Sequence, residues 1–364
     1  MSAGPERTLK KGYTTGTCAQ AAARAAMLML TSGKPVSEVE VETASGVRLK
    51  LGVIPMQSGQ AQDAGGFARC GVIKDSGDDP DVTDGAEIYA EVKLVPGGEG
   101  VRILGGRGVG TVTKPGLPVP PGEPAINPVP RRMISAEVAA LLPKDCGAEV
   151  TITVPDGERL AAMTFNPRLG IVGGISILGT SGIVEPRSEE AYRATLSLQV
   201  KVAKAAGLRK VALCPGYLGE RFCSRDLGMP EDAIIRVGDH VGFALGECAK
   251  SGVEQVLLVG HVGKLVKIAV GIFNTHHTMG DARMETIAAC AALCGAGQSV
   301  VKEIMAQDTA EATVAILRQH GLMAVFDSIA ERVVQRASRL VQSRRVGIEC
   351  VILDLKGEVL GRCP

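Results

Sequence analysis

Two hydrophobic periodicities divide the chain. In the first half, apolar and polar residues alternate over 36–43, 47–51, 86–95 and 148–154, the period-two pattern of strands with one buried face. Residues 44–46, Ala-Ser-Gly, supply the turn of a hairpin between the first two. From about Ser188 the pattern changes to short continuous apolar runs that alternate with stretches of helical spacing: a helix over 188–206, strands over 210–213 and 233–237, a helix over 239–250, and a strand over 256–260. Helices over about 282–295 and 299–344 and a last strand over 347–355 close the series. Continuous apolar strands separated by helices belong to a parallel sheet buried on both faces, so the second half reads as an α/β three-layer domain and the first as α+β. The change of composition places the boundary between Gly182 and Ser188, giving domains of 1–186 and 187–364.

The stretch 255–285 draws the two patterns of the second half together. Its strand ends at Gly260, His261, Gly263 and Lys264 follow, and Leu265, Val266, Ile268, Ala269 and Ile272 then recur at helical spacing. The turn therefore lies at the carboxyl end of a strand, where open α/β sheets bind ligands beside the free amides of a helix start. Cys214-Pro215-Gly216 ends an earlier strand in the same way, so two strand ends are expected to frame one crevice. After the helix, residues 274–281 (NTHHTMGD) crowd amide, hydroxyl, imidazole and carboxylate groups between two apolar helices, a composition that points to a ligand loop. Asp281 stands where it is either a base or the cap of the following helix. His276 and His277 are adjacent, and neighbours on a helix or strand point apart, which argues against joint chelation of a metal.

Other segments carry weaker signals. A helix over 14–30 opens with Thr14, Thr15, Gly16, Thr17 and Cys18, either a capped helix with a close contact at the glycine or a cradle of hydroxyls and amides for a polar ligand. Cys18 in that first turn has the position of a lowered-pKa thiol, with no base beside it. Residues 56–84 are rich in glycine and aspartate and read as a solvated turn, since DSGDDPDVTDG lacks the spacing and final glutamate of a calcium-binding EF-hand loop. GGRGVG at 105–110 does not match G-x-G-x-x-G and no helix pattern follows it. Residues 114–130 hold seven prolines and read as extended, leading to Arg131 and Arg132 at the start of a helix to about Leu142. The paired guanidinium groups suit carboxylates.

Charge and composition narrow the classes. A formal net charge of +1, 3% aromatic residues and no tryptophan leave neither a basic face nor stacking platforms for nucleic acid. The N-terminus has no apolar core of signal-peptide length and no uninterrupted apolar run has the length of a membrane span, which implies a soluble, cytoplasmic protein. The ten cysteines are scattered through a long chain and read as buried thiols. Cys290 and Cys294 share a helix face, but no second pair completes a metal site, and none is expected.

Four motifs carry a family resemblance: GYTTGTCAQAAARAA at 12–26, INPVPRRMI at 126–134, TFNPRLGIVGGISILGTSGIVEP at 164–186 and GHVGKLVKIAVGIFNTHHTMGDARME at 260–285. In this order and over nearly the whole chain, they resemble the cobalt-precorrin-5B (C1)-methyltransferase family of anaerobic cobalamin synthesis. The resemblance implies methyl transfer from S-adenosylmethionine to ring carbon 1 of a cobalt-bearing tetrapyrrole, and a second domain that is Rossmann-like. It brings no established catalytic set onto these positions. On that reading Cys214, Gly216, Gly260, His261 and Gly263 are expected to meet the cofactor. Thr14, Thr15, Thr17, Arg131, Arg132, Asn166, Arg168 and Lys264 are expected to meet the carboxylate-rich substrate, and Asp281, His276 and His277 are the candidates for proton transfer or positioning. The implied partner is the corrinoid, with a homo-oligomer left open. The alternative is a non-catalytic corrinoid or cobalt carrier that uses the histidines as ligands.

Overall fold

The computed structural model describes residues 9–61, 64–186, 188–341 and 346–364. It is a mixed α/β fold in two compact units, the first ending at Ser188 and the second beginning at Glu189. No helix among the described residues is long and apolar enough to cross a membrane.

The first unit is built on a five-stranded sheet in the order Ile54–Ala61, Ala64–Ile73, Glu87–Pro96, Cys146–Thr153 and Val101–Gly105, antiparallel except for the last pair. Period-two alternation puts Ala68, Cys70, Val72, Ile88, Ala90, Val92, Val150 and Ile152 on one buried face. The helix Thr15–Ser32 packs on that face, and its alanines are so small that the helix is buried nearly all round at its first half. The predicted hairpin is present as Glu38–Glu42 paired with Arg48–Gly52.

Two expectations for this unit fail for stated reasons. Residues 56–84 are not one solvated turn, because the first part forms the edge strand and its neighbour. The glycines that hid the pattern make room: a Cβ at Gly71 would lie 2.4 Å from the Tyr89 ring. The loop that follows is wrapped round Lys74, 2% exposed, whose ammonium donates to Asp81 Oδ2 at 2.8 Å and to Ser76 Oγ. An internal ammonium thus holds the aspartates of a stretch that resembled a cation loop. The extended proline segment also stops earlier than predicted, since the helix starts at Pro128 and runs Pro128–Ala139. Proline in a first helical turn forfeits no intrahelical bond.

The second unit has a five-stranded sheet in the order Ile234–Arg236, Lys210–Cys214, Gln255–His261, Gly347–Leu353 and Val359–Cys363, parallel until the antiparallel last strand. Both faces are buried. Val211, Leu213, Val256, Leu258, Cys350 and Ile352 face a thick layer of helices, while Ala212, Cys214, Leu257 and Val259 lie under the helix Tyr217–Arg225. That helix and the final strand escape the sequence pattern. The helix is short, and its Gly219 has no side chain because a Cβ there would lie 2.2 Å from Val259 O. The strand Lys210–Cys214 leads into a helix on one face, and its neighbour Gln255–His261 leads into Val262–Ala269 on the other. Their carboxyl-end turns nevertheless meet, a Cβ on Gly260 lying 3.2 Å from Pro215 Cδ, and no residue of 214–216 lines the cavity at the end of Gln255–His261, so the crevice expected between the two turns is not what the fold leaves open.

Candidate functional site

The strand Gln255–His261 delivers His261 to the N-cap of the helix Val262–Ala269, where His261 Nδ1 accepts a hydrogen bond from Gly263 N at 3.2 Å. A lone pair on Nδ1 leaves the ring proton on Nε2, which donates to Glu311 Oε2 at 2.8 Å. Glu311 lies in the first turn of the helix Ala310–Gln319, capped by Thr309, and its other oxygen accepts from Leu355 N at 3.3 Å. One imidazole thus ties together a strand end, a helix start 50 residues away and the turn after the neighbouring strand.

The polar loop is anchored by Asp239, just beyond the strand Ile234–Arg236. Thr275 Oγ1 donates to Asp239 Oδ1 at 2.7 Å, Thr275 N donates to Asp239 O at 3.0 Å, and Lys264 Nζ donates to the same carboxylate. Partial burial raises the Asp239 pKa, but the hydrogen bonds from Lys264 and Thr275 outweigh it and leave it below the usual carboxylate value. Lys267 is 5% exposed and donates to Thr275 O at 3.3 Å and His276 O at 3.4 Å. Asp281 is paired with Arg283, Oδ2 to Nη2 at 2.6 Å and Oδ1 to Nε at 2.8 Å. The Arg283 hydrogen bonds bring the Asp281 pKa down to about 2, which makes it a weak proton acceptor at neutral pH.

These groups enclose a pocket of about 570 Å³ lined by both turn and loop, including His261, Lys264, Lys267, His276, His277, Asp281 and Glu311. His276 and His277 do not point apart: their ring centroids are 4.2 Å from each other, because the pair enters a 3₁₀ turn and His276 Nδ1 caps it through Thr278 N. No group of three or more metal-ligating side chains occurs among the described residues.

The other predicted contacts divide. Gly260 is a point of close approach, since a Cβ there would meet Pro215 Cδ at 3.2 Å, whereas Gly216 at the start of Tyr217–Arg225 has open space beside it. Cys214 is fully buried, its thiol 3.9 Å from that of Cys223, so it presents no atom to a ligand. In the first unit the threonine hydroxyls are spent within the chain. Thr14 Oγ1 accepts from Thr17 N at 3.2 Å, Thr15 Oγ1 accepts from Leu178 N at 2.9 Å, and Thr17 Oγ1 donates to Gly182 O at 2.8 Å. Asn166 is likewise internal, donating to Gly174 O at 3.1 Å and accepting from Ser176 Oγ at 3.3 Å. Cys18 is fully buried, and burial pushes its thiol pKa far up, the opposite of an activated thiolate. Arg131 donates to Ile126 O at 3.1 Å and to Glu123 Oε2 at 3.3 Å, clamping the proline segment. Arg132 is exposed and Arg168 half-buried.

Sequence reasoning missed Asp239, Lys267, Arg283, Thr309 and Glu311 as pocket residues. Lys267 had a signal, a lone charge between Val266 and Ile268 on a buried helix face. Thr309 and Glu311 had none, because only the fold brings them to His261.

Comparison with known proteins agrees over most of the chain. The CbiD family model matches residues 2–186, and the model for the CbiD C-terminal domain matches residues 274–364. A protein of Thermoanaerobacter sp. (strain X514) is 46% identical over 98% of this chain and 96% of its own length. One from Moorella thermoacetica is 47% identical over 97% of this chain and 95% of its own. Both are named cobalt-precorrin-5B C(1)-methyltransferase. The crystal structure of a cobalamin biosynthesis protein (cbiD) from Archaeoglobus fulgidus is 33% identical and covers 73% of this chain and 82% of that one, with a TM-score of 0.39, too low to support the fold. With two domain models and near-complete relatives in agreement, the chain belongs to the CbiD family.

Proposed function

We propose that this chain transfers a methyl group from S-adenosylmethionine to ring carbon C-1 of cobalt-precorrin-5B, giving cobalt-precorrin-6A in anaerobic cobalamin synthesis. The observation that carries the reading is the pocket at the strand ends, in a family whose curated relatives share that activity name over nearly their whole length. On this reading the second unit is Rossmann-like and holds the donor. A volume of about 570 Å³ suits one ligand of moderate size. The pocket then holds one reactant, with the other at its mouth, where Leu355 is 59% exposed.

The residues fit the donor. Asp239 offers a carboxylate acceptor beyond the edge strand Ile234–Arg236, the helix starts at Val262 and Ala310 offer amides, and Lys267 offers a cation. S-adenosylmethionine supplies an already activated methyl when bound. The protein's own task is orientation, which is worth about 7–11 kcal/mol when reacting atoms are held in line. His261, Glu311, Asp239 and Thr275 give that rigidity, as each holds two elements together. Asp281, tied to Arg283, positions the loop and does not take a proton.

Isothermal calorimetry with S-adenosylhomocysteine, followed by transfer of labelled methyl to the cobalt-corrinoid, tests the reading. Saturable binding and stoichiometric label in the corrinoid are expected. Tight corrinoid binding with no affinity for S-adenosylhomocysteine and no transfer would instead identify a carrier.

A further inference from the structure

Lys267 is an unusual charge for its surroundings. It sits on the helix Val262–Ala269 between the fully buried Val266 and Ile268, is itself 5% exposed, and lines the pocket. Its two hydrogen bonds, to Thr275 O at 3.3 Å and His276 O at 3.4 Å, are at the long end of the range and go to neutral carbonyls. An ammonium buried without a counter-ion is costly, and carbonyl dipoles compensate only part of the cost. The acids that share the pocket make their direct bonds elsewhere: Asp239 pairs with Lys264, Asp281 pairs with Arg283 and feels Lys267 only at a distance, and Glu311 accepts from the neutral His261 ring and Leu355 N. Among the described residues Lys267 has no ion pair. If its task were only to hold the loop, an amide would serve with no charge to bury.

We propose that Lys267 is the pocket's anchor for a carboxylate of a reactant. The inference rests on the functional reading above, in which both reactants carry the group: the donor in its amino-acid portion, and the tetrapyrrole in its acetate and propionate arms. An incoming carboxylate completes the third N–H of the ammonium and neutralises the charge in a partly dry site, where charge-assisted hydrogen bonds are strongest. The two carbonyl bonds fix the ammonium before the ligand arrives.

Lys267→Gln tests this, because glutamine keeps N–H donors for the loop carbonyls and removes the charge. Calorimetry of wild type and variant uses S-adenosylhomocysteine and 5′-methylthioadenosine, which lacks the amino-acid portion, and the KM for the cobalt-corrinoid is measured alongside. If the donor's carboxylate is the ligand, S-adenosylhomocysteine affinity falls at least about 10-fold and methylthioadenosine affinity does not change. If an arm of the macrocycle is the ligand, the corrinoid KM rises at least about 10-fold with both nucleoside affinities unchanged. Lys267→Arg should recover part of whichever constant is lost. Constants within about 2-fold of wild type, whatever happens to the melting temperature, would overturn the proposal and leave Lys267 a loop tether. A wild-type chain that binds neither reactant would overturn the functional reading, and this one with it.

Discussion

Two polar clusters look alike in the sequence and behave oppositely in the structure. The first joins Thr14–Thr17 to the glycine-rich run 176–182; the second is the loop 274–283. In the first, Thr14, Thr15 and Thr17 are 7%, 4% and 2% exposed, and each hydroxyl finds its partner inside the chain. In the second, only Thr275 is buried, while His276, His277 and Asp281 stand exposed at a pocket. Polar density announces that hydrogen bonds will form, but not with whom. The distinguishing mark is glycine. Gly179 and Gly182 have φ of +137° and +87°, and a Cβ at either would strike Thr14 or Thr43, so glycine there lets two backbones interlock. The loop Asn274–Asp281 is fastened by charge instead, through Asp239, Lys264 and Lys267.

The largest expected effect tests the interlocked cluster. Gly179→Val puts a β-branched residue at positive φ with its Cβ 2.3 Å from Thr14 Oγ1. Strain and overpacking together should cost about 3 kcal/mol or more, read as a lower urea midpoint or as insoluble protein. His277→Ala in the second cluster should stay within about 0.5 kcal/mol of wild type. Comparable losses from the two substitutions would erase the distinction.

A smaller effect separates stitching from ligand binding at one hydroxyl. Thr17→Val removes one of two donors to Gly182 O, the hydroxyl at 2.8 Å, and leaves Thr14 N at 3.1 Å, which should lower stability by about 0.5–1 kcal/mol. The corrinoid KM and kcat should stay at wild-type values. A raised KM in a chain of undiminished stability would return the threonines to the substrate site.

The sequence shows best what periodicity controls. Strands such as Glu87–Pro96 and Gln255–His261 and the helix Thr15–Ser32 are legible because their own side chains set the buried face. Ile54–Ala61 and Ala64–Ile73 are illegible because glycine there answers a neighbour, as Gly71 answers Tyr89. The same limit runs through the site. His261 and the loop 274–281 stand out as types in one stretch, and the pocket does join them. Asp239 and Glu311 are ordinary acids until the sheet order brings their helices to the same strand end. Asp281 was legible as a residue but not as a role, since its pairing depends on how Arg283 turns back towards it.

A further small effect falls on Asp281 itself and decides whether the exposed cluster contains a base. The Arg283 pair holds the carboxyl at about 2, below its ordinary 3.8. A depressed carboxylate contributes stability that is fully present above pH 3.8 and lost as the pH falls through about 2. The side chain is 50% exposed, so solvent screening reduces the contribution to about 1 kcal/mol or less. Asp281→Asn should therefore be less stable than wild type by that amount at pH 7, and the two should converge below about pH 2. Asparagine still offers Oδ1 to Arg283 N, now 3.1 Å from the aspartate, so the turn into the helix Arg283–Leu293 should persist. Because a group with a pKa of about 2 accepts protons poorly at neutral pH, kcat should change by less than about 2-fold. A loss of about 100-fold in kcat with both ligands bound normally would mean that the carboxylate leaves Arg283 during turnover and acts as a base. The exposed cluster would then be chemical machinery and not only a positioning loop.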